Sequence, residues 1–113
     1  MSIDESNVVD FILPDAEHGS AMVLVVSDHR EWTGDDSEHL QLLQEKLNAY
    51  LRFVGSGEIF DQYPAARYKP IIFEIVGKYS LNRRAKEFLL HAGHIIKKAG
   101  FSLRHRLLES QEP

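Results

Sequence analysis

The sequence predicts an α+β fold, a two-layer sandwich in which two helices cover one face of a four-stranded mixed sheet, with elements in ββαβαβ order. Three observations lead to this prediction. Two apolar, β-rich runs precede a long helical pattern, a third apolar run precedes a second helical pattern, and an alternating segment closes the chain. The 113 residues are enough for one domain, so we expect residues 1–113 to form it, with residues 109–113 frayed.

The chain should begin with a hairpin. Residues 7–13 (NVVDFIL) are rich in β-formers, residues 14–20 contain the turn formers Pro, Asp and Gly, and residues 21–28 (AMVLVVSD) form a second strand. The first helix follows, with Asp35 and Glu38 in a capping-box-like arrangement and apolar residues at helical spacing up to Val54. Gly-Ser-Gly at 55–57 should end this helix.

The second half should repeat the strand and helix pattern. Residues 58–70 are predicted to be a connector, and residues 71–79 (IIFEIVGKY) a third strand. Asn82 or Ser80 can cap the second helix, and Gly100 has the position expected of a helix-ending glycine. Residues 101–108 (FSLRHRLL) then make the fourth strand. Each helix is long enough to cross over between parallel strands.

Composition narrows the class of protein. The chain has no cysteine, so disulfides, thiolate nucleophiles and zinc–thiolate sites are excluded. Its first ten residues are acidic and do not resemble a signal peptide, and its longest strongly apolar run, AMVLVV, is too short to span a bilayer. We therefore expect a cytoplasmic protein with no membrane partner.

Charge is divided unevenly along the chain. Residues 1–61 contain 13 acidic and 3 basic residues, whereas residues 62–113 contain 4 acidic and 10 basic residues. The acidic half could steer a basic partner. The alternative is that the two halves neutralise each other in the fold.

Apolar residues occupy both faces of the predicted central strands, which suggests that a second subunit covers the face without helices. Most symmetric oligomers are two-fold dimers, so a homodimer is expected. The candidate interface residues are Leu42, Phe53, Leu24 and Ile72. The alternative is that the C-terminal tail and the 58–70 connector cover these residues within one chain.

The segment between the second strand and the first helix has the residues best suited to a site. Asp28, His29 and His39 supply acid, base and ligand types, with Trp32 and Glu38 between them. A carboxylate beside an imidazole can orient a general base, and two histidines with a carboxylate can hold a divalent metal. The structural alternative is that Asp28 ends a strand, Glu38 belongs to a helix cap, and Trp32 covers the core edge. The His29–His39 spacing matches no metal signature with a helix-fixed geometry such as His-Glu-x-x-His, and neither a metal nor another cofactor is predicted.

Three further histidines and a basic cluster have weaker functional signals. His91 and His94 are expected on a solvated helix face, and His105 is expected to be half-buried and hydrogen-bonded. A basic surface could form from residues of the second helix and the last strand: Arg83, Arg84, Lys97, Lys98, Arg104 and Arg106. Without a recognition motif, and with a sequence pI of about 5.8, nucleic-acid binding is not favoured.

Motifs along most of the chain resemble those of a family of small bacterial proteins of unknown function. They are Val9–Asp10, Ser27–Asp28–His29 with Trp32, Glu38–His39–Leu40 with Leu42–Leu43–Gln44, and Lys46, Asn48, Tyr50, Leu51 and Phe53 in the first helix. Leu47 stands where isoleucine is also acceptable, a change that is neutral for packing. The resemblance implies a free-standing bacterial domain and adds no catalytic residue.

Two functions follow from these patterns. The leading prediction is a non-enzymatic homodimer that binds another protein, in an immunity-like or regulatory role. The alternative is a small enzyme or divalent-metal binder that uses Asp28, His29, Glu38 and His39.

Overall fold

A computed structural model of the protein describes residues 11–14 and 21–108. The strands are β1 (Phe11–Pro14), β2 (Met22–Asp28), β3 (Ile71–Gly77) and β4 (Ser102–Leu107). The helices are α1 (Ser37–Gly55), α2 (Glu58–Gln62) and α3 (Arg83–Lys98), and a short 3₁₀ helix spans Pro64–Tyr68. The turn was predicted over residues 14–20, but Pro14 is the last residue of β1 and residues 15–20 lie outside the described residues. The predicted strand start over residues 7–10 and the predicted frayed tail over residues 109–113 also lie outside them.

The predicted fold requires correction in its element order and in its sheet. The order ββαβαβ is wrong, because α2 and the 3₁₀ helix occupy the segment predicted to be a connector. The strands lie in the order β1-β2-β3-β4, and β2, β3 and β4 all run parallel. The antiparallel component is limited to the short edge strand β1, which pairs with β2 from Phe11–Val25 to Pro14–Met22.

One face of the sheet and the helices enclose the core. Alternate residues of β2 and β3 point towards the helices, where they meet buried leucines of α1 and Ile96 of α3. Ile59 of α2 and Ala66 of the 3₁₀ helix join the same cluster, so the connector is structured because it contributes to the core. The buried cluster comprises Met22, Leu24, Val26, Leu43, Leu47, Tyr50, Val54, Ile59, Ala66, Ile71, Phe73, Ile75 and Ile96.

Helix α1 is joined to the sheet by a polar contact as well as by packing. The Tyr50 hydroxyl donates a hydrogen bond of 2.6 Å to the carbonyl oxygen of Val25 in β2. Lys46, one turn earlier, is fully buried, with its ammonium 5.5 Å from the centre of the Tyr50 ring. These contacts place α1 against the centre of the sheet.

The ends of α3 follow the sequence prediction. The Asn82 side chain accepts a hydrogen bond of 2.9 Å from the Ala85 backbone N–H, as an N-cap does. At the other end Gly100 has φ of 98°, and the N–H groups of Gly100 and Phe101 donate to the carbonyls of Lys97 and Ile96. This pair of hydrogen bonds is a Schellman motif, which needs a residue that tolerates positive φ.

The described part of the chain has no helix that is long and apolar enough to cross a membrane.

Candidate functional site

The candidate site lies where the parallel strands end. Asp28 is the last residue of β2 and Gly77 the last residue of β3, and the two are paired in the sheet register. The chain leaves β2 at Asp28 and enters α1 at Ser37, while α3 begins at Arg83 beyond the end of β3. In open parallel sheets this edge is where loop side chains and helix N-termini converge.

Asp28 and His39 form a close side-chain pair at this edge. His39 Nε2 lies 2.7 Å from Oδ2 and 2.9 Å from Oδ1 of Asp28, so the imidazole donates its Nε2 proton to the carboxylate. The Arg30 backbone N–H also donates to Oδ1 of Asp28, at 3.1 Å. Asp28 therefore ends its strand and holds the first turn of α1.

Trp32 covers this pair. Its ring stacks on the His39 imidazole with a centroid distance of 3.6 Å and an interplanar angle of 13°. Asp28 and His39 are only 3% and 4% exposed. The His39 Nδ1 is buried and has no hydrogen-bond partner within residues 11–14 and 21–108. These contacts hold the His39 imidazole in one orientation and also shield it from solvent.

The other two polar residues of the predicted cluster, His29 and Glu38, lie at the surface. His29 is exposed. Glu38 is 78% exposed and lies 3.5 Å from the Arg30 guanidinium, on the surface of α1. Within the described residues, no three histidine or acidic side chains are grouped so that they could hold a metal ion. Among the four residues proposed for chemistry, Asp28 and His39 lie within hydrogen-bonding distance of each other.

The predicted capping box of Asp35 and Glu38 does not form. The N-cap of α1 is Asp36, and its side chain makes no capping hydrogen bond to the helix. Its Oδ1 instead accepts from the Thr33 N–H at 2.8 Å, and its Oδ2 accepts from the Gly34 N–H at 3.1 Å. The carboxylate thus stabilises the preceding loop and does not cap the helix.

Asp36 also contacts α3. Its Oδ2 accepts a hydrogen bond of 2.8 Å from Asn82 Nδ2. Burial acts to raise the pKa of the Asp36 carboxyl, but the hydrogen bonds from Thr33, Asn82 and Gly34 together outweigh it and hold that pKa below its ordinary value of 3.8. The charged form is therefore favoured in the folded protein.

His105 of β4 approaches the same edge. It is half-buried, as predicted, but its buried Nε2 has no hydrogen-bond partner within the described part of the chain. Burial lowers the pKa of His105, and the negative charge of Asp28 partly offsets this effect. A Cβ at Gly77 would lie 2.9 Å from His105 Nε2, so the strand can pass this ring because residue 77 has no side chain.

The predicted dimer-interface residues do not form one surface. Leu24 of β2 is fully buried on the sheet face that the helices cover, so it cannot contribute to an interface. Leu42 and Phe53 are partly buried and pack against the same core. Ile72 is partly buried and pairs in register with Val23 of β2, which belongs to the row opposite Leu24.

The predicted basic surface is divided between two faces. Arg104 Nε donates to Glu74 Oε2 at 2.6 Å, and Arg106 lies 3.5 Å from the other carboxylate oxygen. The alternation of β3 puts Glu74 on the face opposite Phe73, which belongs to the helix-covered core. The basic residues of α3 therefore lie on the other side of the sheet from Arg104 and Arg106.

An apolar groove runs between α1 and α3, away from the Asp28 edge. Its volume is about 290 Å³. Exposed polar side chains at its margin are Gln44, Asn48 and His91. The apolar lining consists of Leu47, Leu51, Phe88, Ala92, Ile95 and Ile96. Ile95 is 57% exposed, and Leu90, elsewhere on α3, is 68% exposed.

This groove and the Asp36–Asn82 contact were not predicted from the sequence. Both depend on how α1 and α3 pack, and the two contacting residues are 46 positions apart. A signal for the groove was nevertheless present: Ile95 and Ile96 are both large apolar residues, and consecutive residues of a helix do not share one face.

Comparisons with known proteins give a family but no activity. A search of curated proteins found no match, and a search of solved structures found none either. Residues 1–109 match the model of a family described as a family of unknown function, DUF6572. Because the match covers nearly the whole chain, the protein belongs to this family of unknown function.

Proposed function

We propose that this protein is a non-enzymatic protein-binding domain and that its binding surface is the groove between α1 and α3. The observation that carries the proposal is the groove itself. It has a volume of about 290 Å³ and an apolar lining, and Ile95 lies at its margin. Exposed apolar area of this kind, bordered by polar side chains, is typical of surfaces that bind other proteins.

The alternative, a small enzyme or metal binder at the Asp28 edge, has less support. A general base needs its free nitrogen to reach a substrate, whereas His39 Nδ1 is buried beneath the surface. His29 and Glu38 are exposed and lie outside the Asp28–His39 hydrogen bond. We interpret the Asp28–His39–Trp32 contacts as the element that fixes the loop between β2 and α1.

This proposal differs from the sequence-based one in where the partner binds. The sequence suggested that the acidic half, residues 1–61, would attract a basic partner in an immunity-like or regulatory role. Five acidic residues of that half lie within residues 1–10 and 15–20, outside the described residues. The groove instead has one wall from each half of the chain, and the wall from the second half is the basic helix α3.

We also propose that the protein is a homodimer, on narrower grounds than the sequence suggested. Ile72 and Val76 are partly exposed on the sheet face opposite the helices, beside the Glu74–Arg104 ion pair. A second copy would cover these side chains. Sedimentation velocity should give a dimer for the native chain and a monomer for Ile72→Lys, and a native monomer at high concentration would remove this part of the proposal.

The binding proposal is tested by selection. A displayed library of 15-residue peptides is selected on the full chain and counter-selected on Ile95→Asp, which puts a charge at the margin of the groove. We expect peptides that bind the native chain and the control variant Leu90→Asp but not Ile95→Asp. If every selected peptide binds both variants equally, the groove is not the binding surface.

A further inference from the structure

Helix α3 has a stripe of residues that extends beyond both ends of the groove. Arg84, Phe88, His91, Ile95 and Lys98 follow one another at spacings of four and three residues, so they lie along one side of the helix. The middle three line the groove. Arg84 and Lys98 are exposed and continue the same line at its two ends.

The dimensions of this stripe suit a helix as the bound element. From Arg84 to Lys98 the helix rises about 21 Å, at ~1.5 Å per residue, which is about four turns. The opposite wall also comes from a helix, with Gln44, Asn48 and Leu51 at helical spacing in α1. Two neighbouring helices with an apolar groove between them can receive a third helix, whose apolar residues recur every three to four positions.

The charged residues at the two ends of this stripe, Arg84 and Lys98, are both positive. Apart from one acidic residue, Glu87, the charged residues of α3 are basic: Arg83, Arg84, Lys86, Lys97 and Lys98. The α1 residues at the groove margin, Gln44 and Asn48, are uncharged. Electrostatic complementarity therefore favours an acidic partner.

The same charges disfavour a second copy of α3 as the occupant. In an antiparallel pair of α3 helices, Arg84 of one copy would lie near Lys98 of the other at both ends of the contact. Two like-charge contacts oppose that pairing, whereas acidic residues at the same positions would form ion pairs.

We propose that the groove between α1 and α3 binds an acidic amphipathic helix of another protein, about four turns long. Its apolar residues enter the groove beside Ile95, and its acidic residues contact Arg84 and Lys98. This inference rests on the proposed binding function and specifies the class of partner.

The test uses two designed peptides and the whole 113-residue chain. Each fluorescein-labelled peptide has about 15 residues, with leucines at i, i+4, i+7 and i+11. One has glutamate at the flanking positions and the other has lysine. Fluorescence anisotropy at low salt should show the glutamate peptide binding about tenfold more tightly than the lysine peptide, and the difference should shrink as salt screens the charges.

Three variants locate the binding on the stripe. Ile95→Ser should weaken binding of the glutamate peptide about tenfold, whereas the control Leu90→Ser, an exposed apolar residue outside the groove lining, should change it less than about twofold. The double reversal Arg84→Glu with Lys98→Glu should invert the preference, so that the lysine peptide binds more tightly. All of these positions are exposed, and circular dichroism melts verify that the variants are folded.

Several outcomes would overturn the inference. Equal binding of the two peptides, no binding of either, or an unchanged preference in the double reversal would each do so. A native dimer that becomes a monomer on Ile95→Ser would identify a second copy as the occupant. If the display selection still yields Ile95-dependent peptides without acidic residues, the binding function stands and only the acidic class fails. If the selection yields no Ile95-dependent peptide, the binding function itself fails.

Discussion

Asn82 Nδ2 donates a hydrogen bond of 2.8 Å to Asp36 Oδ2, and this contact joins the N-terminus of α3 to that of α1. The other end of the same amide accepts from the Ala85 N–H and caps α3. One side chain therefore performs two tasks at the edge of the sheet where the strands end. A substitution that keeps the cap of α3 and removes the contact with Asp36 can separate their contributions to stability.

We expect Asn82→Ala to lower the free energy of unfolding by about 2 kcal/mol, because it removes both the cap and the contact with Asp36. Asn82→Ser should lower it by about half as much, because serine can still cap α3 but is too short to reach Asp36. Urea denaturation of the two variants tests this. Equal losses in both would mean that the hydrogen bond to Asp36 contributes nothing.

The hydrogen bonds to Asp36 should also shape stability at acid pH. Its folded pKa lies below the ordinary value of 3.8, so the folded state binds fewer protons than the unfolded state in this range. The contribution of this carboxyl is complete above the ordinary pKa and is lost as pH falls through the folded pKa. Asp36→Asn should therefore flatten the acid side of a stability–pH curve measured with urea.

Asp35→Asn is the matched control for this experiment. It removes one negative charge from the same loop, and Asp35 is exposed whereas Asp36 is buried. A difference between the two variants reports the hydrogen bonds of Asp36 rather than the change in net charge. Identical acid profiles for the two variants would contradict the prediction.

Removing one member of the buried Asp28–His39 pair should lower the free energy of unfolding more than replacing both members with apolar residues. His39→Leu leaves an unpaired buried carboxylate, and we expect it to lower the free energy of unfolding by about 3–5 kcal/mol. The double variant Asp28→Leu with His39→Leu should be less destabilised than His39→Leu alone, because no buried charge remains. Trp32 is the only tryptophan in the sequence and stacks on His39, so its fluorescence follows unfolding at this site.

Glu38→Gln provides the comparison for the buried pair. Glu38 belongs to the same turn of α1 but is 78% exposed and lies 3.5 Å from Arg30. Such surface pairs contribute about 0–1 kcal/mol, so this variant should be close to the native protein. A His39→Leu variant as stable as Glu38→Gln would mean that the Asp28–His39 contact does not hold the loop.

His105 should make the protein less stable as pH falls from neutrality. Its folded pKa is below the ordinary value of 6.5, so the unfolded state takes up the proton first. Stability from this group is complete above pH 6.5 and is lost as pH falls towards the folded pKa. His105→Gln should reduce the slope of unfolding free energy against pH in that range, measured with urea.

NMR titration tests the cause of this shift directly. The His105 ring should titrate below pH 6.5, and Asp28→Asn should move its pKa lower still, because the Asp28 charge favours the protonated ring. A His105 pKa at or above 6.5 in the native protein would contradict the prediction. An unchanged value in Asp28→Asn would show that the two side chains do not interact.

The elements that could be predicted from the sequence are those that depend on local residues. Strands β2 and β3 are long apolar runs, and α3 has both a polar cap, Asn82, and a terminal glycine, Gly100, so each could be read from a few neighbouring residues. The five-residue helix α2 and the 3₁₀ helix that begins at Pro64 are too short to show a period, so residues 58–70 were predicted to be a connector.

The candidate site was predictable only in part, for a similar reason. Asp28 and His39 could be selected as residue types suited to chemistry. Their direct contact depends on the path of the chain from the end of β2 to the start of α1. His29 is next to Asp28 in sequence yet exposed, because consecutive residues at a strand end point in different directions. The Asp36–Asn82 contact and the approach of His105 to Gly77 need the crossover connections to be in place.

The parallel pairing of β2 and β3 also has a consequence for the order of events during synthesis on the ribosome. Strand β2 can pair with β1 as soon as it emerges, but residues 29–70 must be made before its other neighbour, β3, begins. At ~5–20 residues per second, one edge of an apolar strand stays unpaired for several seconds. During that time the nascent chain exposes a segment prone to intermolecular strand pairing, so a chaperone that binds short apolar stretches should have its main contact at Met22–Val26.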